Sequence, residues 1–211
     1  MTIQCKGEEL LLCKERAIYW KAKQTLIISD LHIGKAAFFR KSGIQVPLAV
    51  GQTDLERLGE LLNLYKPLNL LITGDMFHNY MNNDVLEFKQ WRSGFPEVNF
   101  QLIKGNHDAL KERDYADLNI AIFEKELIIG PFRFIHDQPE IFDDFYPISG
   151  HVHPGVTIYG RARQQLRLAC FCFGDNYAVL PAFSVFTGLS MIKPGGNDCI
   201  YAITPTQVVK I

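Results

Sequence analysis

The six histidines lie in five short polar segments, and these segments also hold the acidic and amide side chains best placed for chemistry. They read Asp-x-His, Gly-Asp-x-x-His, Gly-Asn-His-Asp, a single His and Gly-His-x-His. Their polar members are Asp30, His32, Asp75, His78, Asn106, His107, Asp108, His136, His151 and His153. Imidazole and carboxylate ligands suit Mn, Fe, Zn or Ni, so the pattern predicts a metal centre without thiolates.

The spacing within the segments supports one shared site. Side chains two apart leave a strand on the same face, so Asp30 can act with His32, and His151 with His153. Each segment follows an apolar run, and strand ends at one sheet edge bring distant motifs into one cleft. Glycines stand before three of the segments, which suits tight turns where the backbone approaches an ion or a phosphate: Gly74, Gly105 and Gly150.

Apolar periodicity predicts the elements that position these segments. Residues 53–65 and 84–91 place their apolar side chains on one helical stripe. Short apolar runs bounded by turn residues predict strands over 10–13, 17–20, 26–29, 68–73, 99–103, 127–129, 133–135, 146–149, 166–171, 177–180, 200–203 and 207–211. Helices alternate with strands in the first half, whereas strands follow one another after about residue 126. The pattern favours an α/β protein with more than one sheet.

Length and composition predict a folded, single-domain protein over residues 1–211. The chain is 47% hydrophobic and 21% charged, which excludes disorder, coiled coil and collagen. Five cysteines without a CxxC pair predict neither a disulfide framework nor a cysteine zinc site. No apolar run approaches the roughly 18 residues of a membrane span, and the first residues lack the order of a signal peptide, so we expect a cytoplasmic protein without membrane contact.

Charge is unevenly distributed although its formal sum is only −1. Residues 1–41 carry eight basic and four acidic side chains (+4), residues 42–160 nine and seventeen (−8), and residues 161–211 five and two (+3). If the two ends meet in space, they form a mildly basic face beside an acidic centre.

The ordered set of segments resembles the signature of the calcineurin-like metallophosphoesterase superfamily: D-x-H, G-D, G-N-H-D/E, H and G-H-x-H. Every motif is present between Asp30 and His153. The resemblance implies an α/β fold in which a two-sheet β-sandwich is flanked by helices in four layers (αββα). It also implies two divalent metal ions at the strand ends, of which Mn is expected first, with Fe, Zn or Ni as alternatives.

The same resemblance implies a role for each motif residue. The ligands of the first ion would be Asp30, His32 and His153, those of the second Asn106, His136 and His151, and Asp75 would bridge the two. A hydroxide between ions about 3.5–4 Å apart would attack the phosphorus. His107 would face the scissile phosphate as general acid or electrostatic stabiliser, and Asp108 would orient its imidazole. His78 would orient the diester or its sugar.

Flanking sequences are similar to a narrower group within the superfamily. Gly-Asp-x-Phe-His at 74–78 is similar to repair exonucleases, whereas many small-molecule phosphatases of the superfamily have Asp at the last position. The runs ERAIYW (15–20), SDLHIGKAA (29–37) and LPAFSVFTG (180–188) resemble bacterial ligase-associated DNA damage response endonucleases. That group is typically encoded beside a DNA ligase and a helicase, which implies a functional association with both.

Three functions compete. The first is a phosphodiesterase acting on nucleic acid as a DNA-repair nuclease, single-stranded DNA included, with backbone contacts from Lys35, Arg40, Lys41, Arg161, Arg163 and Arg167; the alternative for these cations is a solvated surface. The second is a hydrolase of small phosphomonoesters, cyclic nucleotides or nucleotide-linked diphosphates. The third is a non-catalytic scaffold, which the complete ligand set disfavours.

Two aromatic-rich segments have alternative interpretations. Residues 79–83 and 139–147 either form a lid that stacks on bases or simply pack against the fold. The oligomeric state stays open.

Overall fold

Two β-sheets packed face to face, with helices outside the first of them, form the architecture of the chain. The computed structural model describes residues 1–41, 43–46, 49–78, 80–138, 144–160, 164–193 and 195–211. The predicted class, an α/β fold built on a two-sheet sandwich, is confirmed.

The first sheet follows chain order. Its strands are β1 (Thr2–Cys5), β2 (Glu8–Cys13), β3 (Ala17–Trp20), β4 (Thr25–Ile28), β5 (Asn69–Thr73), β6 (Asn99–Ile103) and β7 (Ile120–Phe123). Strands β1 to β4 are antiparallel, and β4 to β7 are parallel. The carboxyl ends of β4, β5 and β6 therefore lie side by side at one edge.

Helices lie in the connections between the parallel strands, as such crossovers require. Within the described residues these are α1 (Lys35–Lys41), α2 (Ala49–Tyr65), α3 (Asn83–Arg92) and α4 (Glu112–Asp117). Helix α2 buries Leu58, Leu61 and Leu62, and α3 buries Val85 and Phe88, in the cluster on the outer face of the sheet. None of the helices in the described ranges is long and apolar enough to cross a membrane.

The second sheet comes from the other half of the chain. Its strands are β8 (Glu126–Ile129), β9 (Phe132–Ile135), β10 (Tyr146–Ser149), β11 (Pro154–Tyr159), β12 (Gln165–Phe173), β13 (Ala178–Val179), β14 (Ser190–Met191), β15 (Cys199–Ile203) and β16 (Val208–Lys210). Their spatial order is β14-β11-β12-β13-β10-β9-β8, with β15 paired to β12 and β16 to β15. Strands β9, β10 and β13 are mutually parallel, so β9 and β10 end at the same edge.

The expected fourth layer, helices outside the second sheet, is not observed. As far as residues 118–211 are described they hold no helix, and an apolar cluster that includes Val156, Cys170 and Ile200 belongs to this sheet alone. The reason is connectivity: most of these strands pair antiparallel with a close neighbour in sequence, and such pairs need no crossover helix.

A second core fills the space between the sheets. Trp20 from the first sheet packs edge-on against Phe132 from the second, with ring centroids 5.0 Å apart, and Leu10, Ile18 and Phe134 belong to the same cluster. All five cysteines are free, as the sequence predicted.

Candidate metal centre

The polar segments meet where strands of both sheets end. They follow the strands in turn: Asp30 and His32 after β4, Asp75 after β5, Asn106 and His107 after β6, His136 after β9, and His151 and His153 after β10. The five motif segments are thus brought to one edge of the sandwich, and their side chains form two adjoining clusters.

The first cluster consists of Asp30, His32 and His153, whose candidate ligand atoms all lie within 4.8 Å of one another. Nε2 of His153 is 3.5 Å from Nε2 of His32 and 3.3 Å from Oδ1 of Asp30. Asp30 and His32 are buried, while His153 is partly exposed, so the cluster opens to solvent on the side of the second sheet.

The second cluster consists of Asp75, His136 and His151, also within 4.8 Å. Nε2 of His136 is 3.1 Å from Nδ1 of His151 and 2.9 Å from Oδ1 of Asn106. The amide oxygen of Asn106 therefore belongs to this group, which shows the carboxylate, imidazole and amide composition that the motifs predicted.

Asp75 joins the two clusters. Its Oδ2 lies 3.6 Å from Nε2 of His136 and 4.0 Å from Nε2 of His32, while its Oδ1 accepts a hydrogen bond of 2.9 Å from the backbone N–H of His107. One carboxylate thus faces both groups. Each cluster combines aspartate from the first sheet with histidine from the second.

The close nitrogen pairs fit shared divalent cations. His136 Nδ1 lies 3.2 Å from the carbonyl of Thr73, which can only accept, so in the neutral imidazole the lone pair is on Nε2. That lone pair points at His151 Nδ1 and Asn106 Oδ1, a repulsive arrangement unless a proton or an ion lies among them. Ligands about 2.0–2.2 Å from one ion lie roughly 3–3.5 Å apart, which the observed separations match.

The electrostatics keep these ligands in metal-binding form. Burial, reinforced by the charge of Lys35, lowers the pKa of His32 to about 3, so its imidazole is neutral at neutral pH. Burial acts to raise the pKa of Asp30, but neighbouring His153 and Ser29 outweigh it and leave that pKa below its usual value. A neutral imidazole beside an ionised carboxylate is the state that binds a cation.

The family of the chain follows from comparison with known proteins. The sequence profile of the calcineurin-like phosphoesterases matches residues 23–188, a span that contains both clusters. The chain belongs to the calcineurin-like phosphoesterase family. Membership, together with the two Asp/His clusters, makes it a metal-dependent phosphoesterase.

A solved structure extends the likeness beyond residues 23–188 to the whole chain. The crystal structure of Pseudomonas putida nuclease MPE matches with a TM-score of 0.85 and 30% sequence identity, over 100% of this chain and 99% of that chain. Yfce, a phosphoesterase from E. coli, matches with a TM-score of 0.42 and 16% identity, over 86% of this chain and 88% of that chain. No curated protein sequence matches the chain.

The backbone of this phosphoesterase is strained at the clusters. Ten non-glycine residues in the described parts of the chain have a positive φ, and half of them carry candidate ligand side chains with φ between 49° and 64°: Asp30, His32, Asp75, His151 and His153. Residues with a Cβ seldom adopt this conformation, and such outliers concentrate at functional sites.

The motif glycines make room for candidate ligand side chains. A Cβ on Gly74, whose φ is +93°, would overlap the imidazole of His136. A Cβ on Gly150 would overlap the side chains of Ser29 and Asp30. The structure therefore gives a packing reason for these glycines, because candidate ligand side chains lie against the bare backbone, and the approach of that backbone to an ion or phosphate stays a prediction.

His78 and His107 lie together beside the clusters. Their rings stack with centroids 4.6 Å apart, and each lies within 5.7 Å of the His32 ring. Burial, with the nearby His107, lowers the pKa of His78 to about 4. The structure thus brings both predicted substrate-facing histidines to the centre.

Asp108 contacts different groups from those expected. Its carboxylate accepts hydrogen bonds from the backbone N–H groups of Gly105 (2.9 Å), Phe77 (2.8 Å) and Met76 (3.4 Å). No hydrogen bond joins it to the His107 imidazole among the described contacts, so the expected orienting role is corrected. It cross-links the loops after β5 and β6, which fixes His107 through the backbone.

The predicted nucleic-acid contacts have varied surroundings. Lys35 starts α1 beside the centre, and burial lowers its pKa against the opposing effect of Asp30. Arg40 pairs with Asp84 at 3.5 Å, while Lys41 and Arg167 are exposed. Arg161 and Arg163 lie outside the described residues, as do 79 and 139–143 of the two predicted lid segments. Tyr80 and Met81 are exposed.

Sequence reasoning missed the groups that hold the ligands. Ser29 donates its hydroxyl proton to Oδ2 of Asp30, and the N–H of His151 donates to the same oxygen at 3.0 Å. The carbonyl of Thr73 fixes His136. Ser29 directly follows strand β4, and Thr73 is the last residue of strand β5. A polar residue at the end of an apolar run is the signal that could have identified them.

Proposed function

We propose that this phosphoesterase is a binuclear-metal phosphodiesterase that cleaves nucleic acid as a nuclease in DNA repair. The geometry that supports it is Asp75, whose Oδ2 faces both ligand clusters. The full-length likeness to Pseudomonas putida nuclease MPE supports nucleic acid as the substrate. A functional association with a DNA ligase and a helicase belongs to the same proposal.

The proposed ligands are those of the two clusters. Asp30, His32 and His153 would hold one ion, Asn106, His136 and His151 would hold the other, and Asp75 faces both groups. Two divalent ions, Mn first, would supply Lewis-acid stabilisation of the phosphate and a water of lowered pKa. The protein contributes rigid placement, because hydrogen bonds with backbone groups fix three of these side chains, those of Asp75, His136 and Asp30.

His107 acts on the leaving group in this proposal. Its backbone N–H is tied to Asp75 at 2.9 Å, and its ring lies beside the clusters without belonging to either. From there it protonates the departing alkoxide or stabilises its charge. His78, stacked on it, orients the diester, and Asp108 positions the loop that carries His107.

The substrate assignment is tested by comparing three compounds in Mn²⁺: bis-p-nitrophenyl phosphate, p-nitrophenyl phosphate and labelled single-stranded DNA. We expect diester turnover to exceed monoester turnover, and the DNA to be cut. Faster turnover of the monoester would replace this proposal with a small-molecule phosphatase.

The predicted DNA contacts are tested by removing their charges one at a time, at Lys35, Lys41, Arg161, Arg163 or Arg167. Each change is expected to lower the affinity for DNA and to reduce the slope of that affinity against salt concentration.

A further inference from the structure

A basic cleft lies behind the segment that supports the first cluster. It has a volume of about 310 Å³ and is lined by Lys14, Arg16, Arg57 and Arg167, with Glu15 as the acidic lining residue. Glu15 pairs with Lys14 at 2.8 Å, and Asp54 lies beside Arg57 at 3.2 Å. With four basic side chains and these two carboxylates, the cleft has a net charge of +2.

Two of these cations are fixed rather than mobile. Arg16 donates to the carbonyls of Ala182 (3.2 Å) and Ser184 (2.9 Å), and Arg57 donates to the carbonyl of Phe183 and lies 4.3 Å from its ring. Both arginines are partly buried, and burial lowers their pKa. Partly buried positive charge in excess of the neighbouring carboxylates is stabilised when an anion approaches.

The cleft adjoins the first cluster through a single chain segment. Ser184 N–H donates to the carbonyl of Asp30 at 3.2 Å, and Ser190 N–H donates to that of His153 at 3.0 Å. Val185 and Leu189 of the same segment line the cleft. One layer of hydrogen-bonded backbone, about 4.8 Å from its neighbour, therefore lies between the first cluster and the cleft.

We propose that this cleft binds a backbone phosphate of a single-stranded polynucleotide, a few nucleotides from the phosphate that is cleaved. The inference rests on the proposed function and adds the strand's path. A single strand fits because the cleft is small. A DNA duplex is broader than its major groove of about 12 Å and does not enter a cleft of this size. Arginines held in place by carbonyls lose little freedom when they meet a phosphate.

The test compares two double variants of the full chain in Mn²⁺. Lys14→Gln/Arg167→Gln removes the two cleft cations that do not support the 182–185 segment. Lys21→Gln/Lys66→Gln removes two exposed charges before β4 and β5, at the opposite edge of the sheet. KM is measured for a 12-nucleotide single strand and for a dinucleotide across a salt series, with bis-p-nitrophenyl phosphate as the small diester.

The cleft variant should raise the KM of the 12-mer about tenfold and reduce the slope of log KM against log salt by about 0.7, the contribution of one neutralised phosphate of a single strand. Its preference for the 12-mer over the dinucleotide should shrink, while the control variant behaves as the wild type. An unchanged slope in the cleft variant, or equal losses in both variants, overturns the cleft. If the wild type turns over the small diester but neither binds nor cuts the 12-mer, the nucleic-acid proposal itself fails.

Discussion

Five candidate ligand residues hold a left-handed backbone that their side chains do not favour. That conformation raises the free energy of a residue with a Cβ by about 1–2 kcal/mol. Surrounding contacts must therefore impose it, and the hydrogen bonds from His151 N–H to Asp30 and from His107 N–H to Asp75 are among them. The strain directs side chains of successive segments toward one point.

Replacing His153, whose φ is 53°, separates this strain from metal binding. His153→Ala and His153→Gly both remove the imidazole, but only glycine relieves the backbone. We expect the glycine variant to be more stable than the alanine variant by about 0.5–1 kcal/mol, because the greater freedom of unfolded glycine offsets part of the relief. Urea unfolding in EDTA measures the difference; an alanine variant more stable than the glycine variant would show that no strain is stored there.

The proposed division of labour between His107 and Asp75 predicts two different losses. His107→Ala should lower turnover of a DNA diester by about 10²–10⁴-fold while the chain still binds two metal ions. Asp75→Ala should lose metal and activity together, since its carboxylate faces both clusters.

Metal content by elemental analysis and turnover by product assay are measured on the same samples. The loss of turnover in His107→Ala should be smaller for an ester with a p-nitrophenolate leaving group, because that group needs no proton. Loss of metal from both variants would contradict the assignment.

At the residue scale, type and spacing predicted the groups that meet, and geometry supplied the rest. Asp30 and His32 share a strand-end spacing that predicts a common face. Asp108 shows the limit: the family resemblance implied that it orients the His107 imidazole, whereas its carboxylate accepts hydrogen bonds from the backbone N–H groups of Gly105 and Phe77. Only three-dimensional proximity distinguishes these partners.

At the scale of elements, the two periodic helices and the strands with apolar runs were predictable, whereas the shortest helices were not. The helix expected over 53–65 is Ala49–Tyr65, and that over 84–91 is Asn83–Arg92. Helices α1 and α4, with seven and six residues, are too short to show a period. Strand β11 begins with Pro154 and Gly155, residues that argue against a strand, although proline is tolerated at its first position.

Helix α3 begins at a capped end that also limits one predicted lid segment. The side chain of Asn82 accepts a hydrogen bond of 3.2 Å from Val85 N–H. Asn82→Ala should therefore lower the free energy of unfolding by about 1 kcal/mol. Asn83→Ala, at an exposed neighbouring position, is the control. Thermal unfolding by circular dichroism compares them, and equal effects would mean that the cap contributes nothing.

At the scale of the whole molecule, we propose that residues 1–211 form one cooperative domain. The two tryptophans report on different layers: Trp20 lies between the sheets, and Trp91 packs against the cluster between first sheet and helices. Trp20→Phe leaves Trp91 as the only tryptophan, and Trp91→Phe leaves Trp20, so each variant has one fluorescent reporter. Within each variant, the unfolding midpoint by tryptophan fluorescence should match that by far-UV circular dichroism. A mismatch in either would indicate two independently unfolding units.

Each ligand cluster combines residues from both sheets, so an ion held there also ties the layers to each other. Binding to the folded chain alone adds about 2.7 kcal/mol of stability at a free-ion concentration one hundred times the dissociation constant. Under the proposed function, metal supply then sets the survival of the chain as well as its turnover. A cell short of the ion would lose this protein to its proteases, and refilling the ion pool would require new synthesis before activity returned.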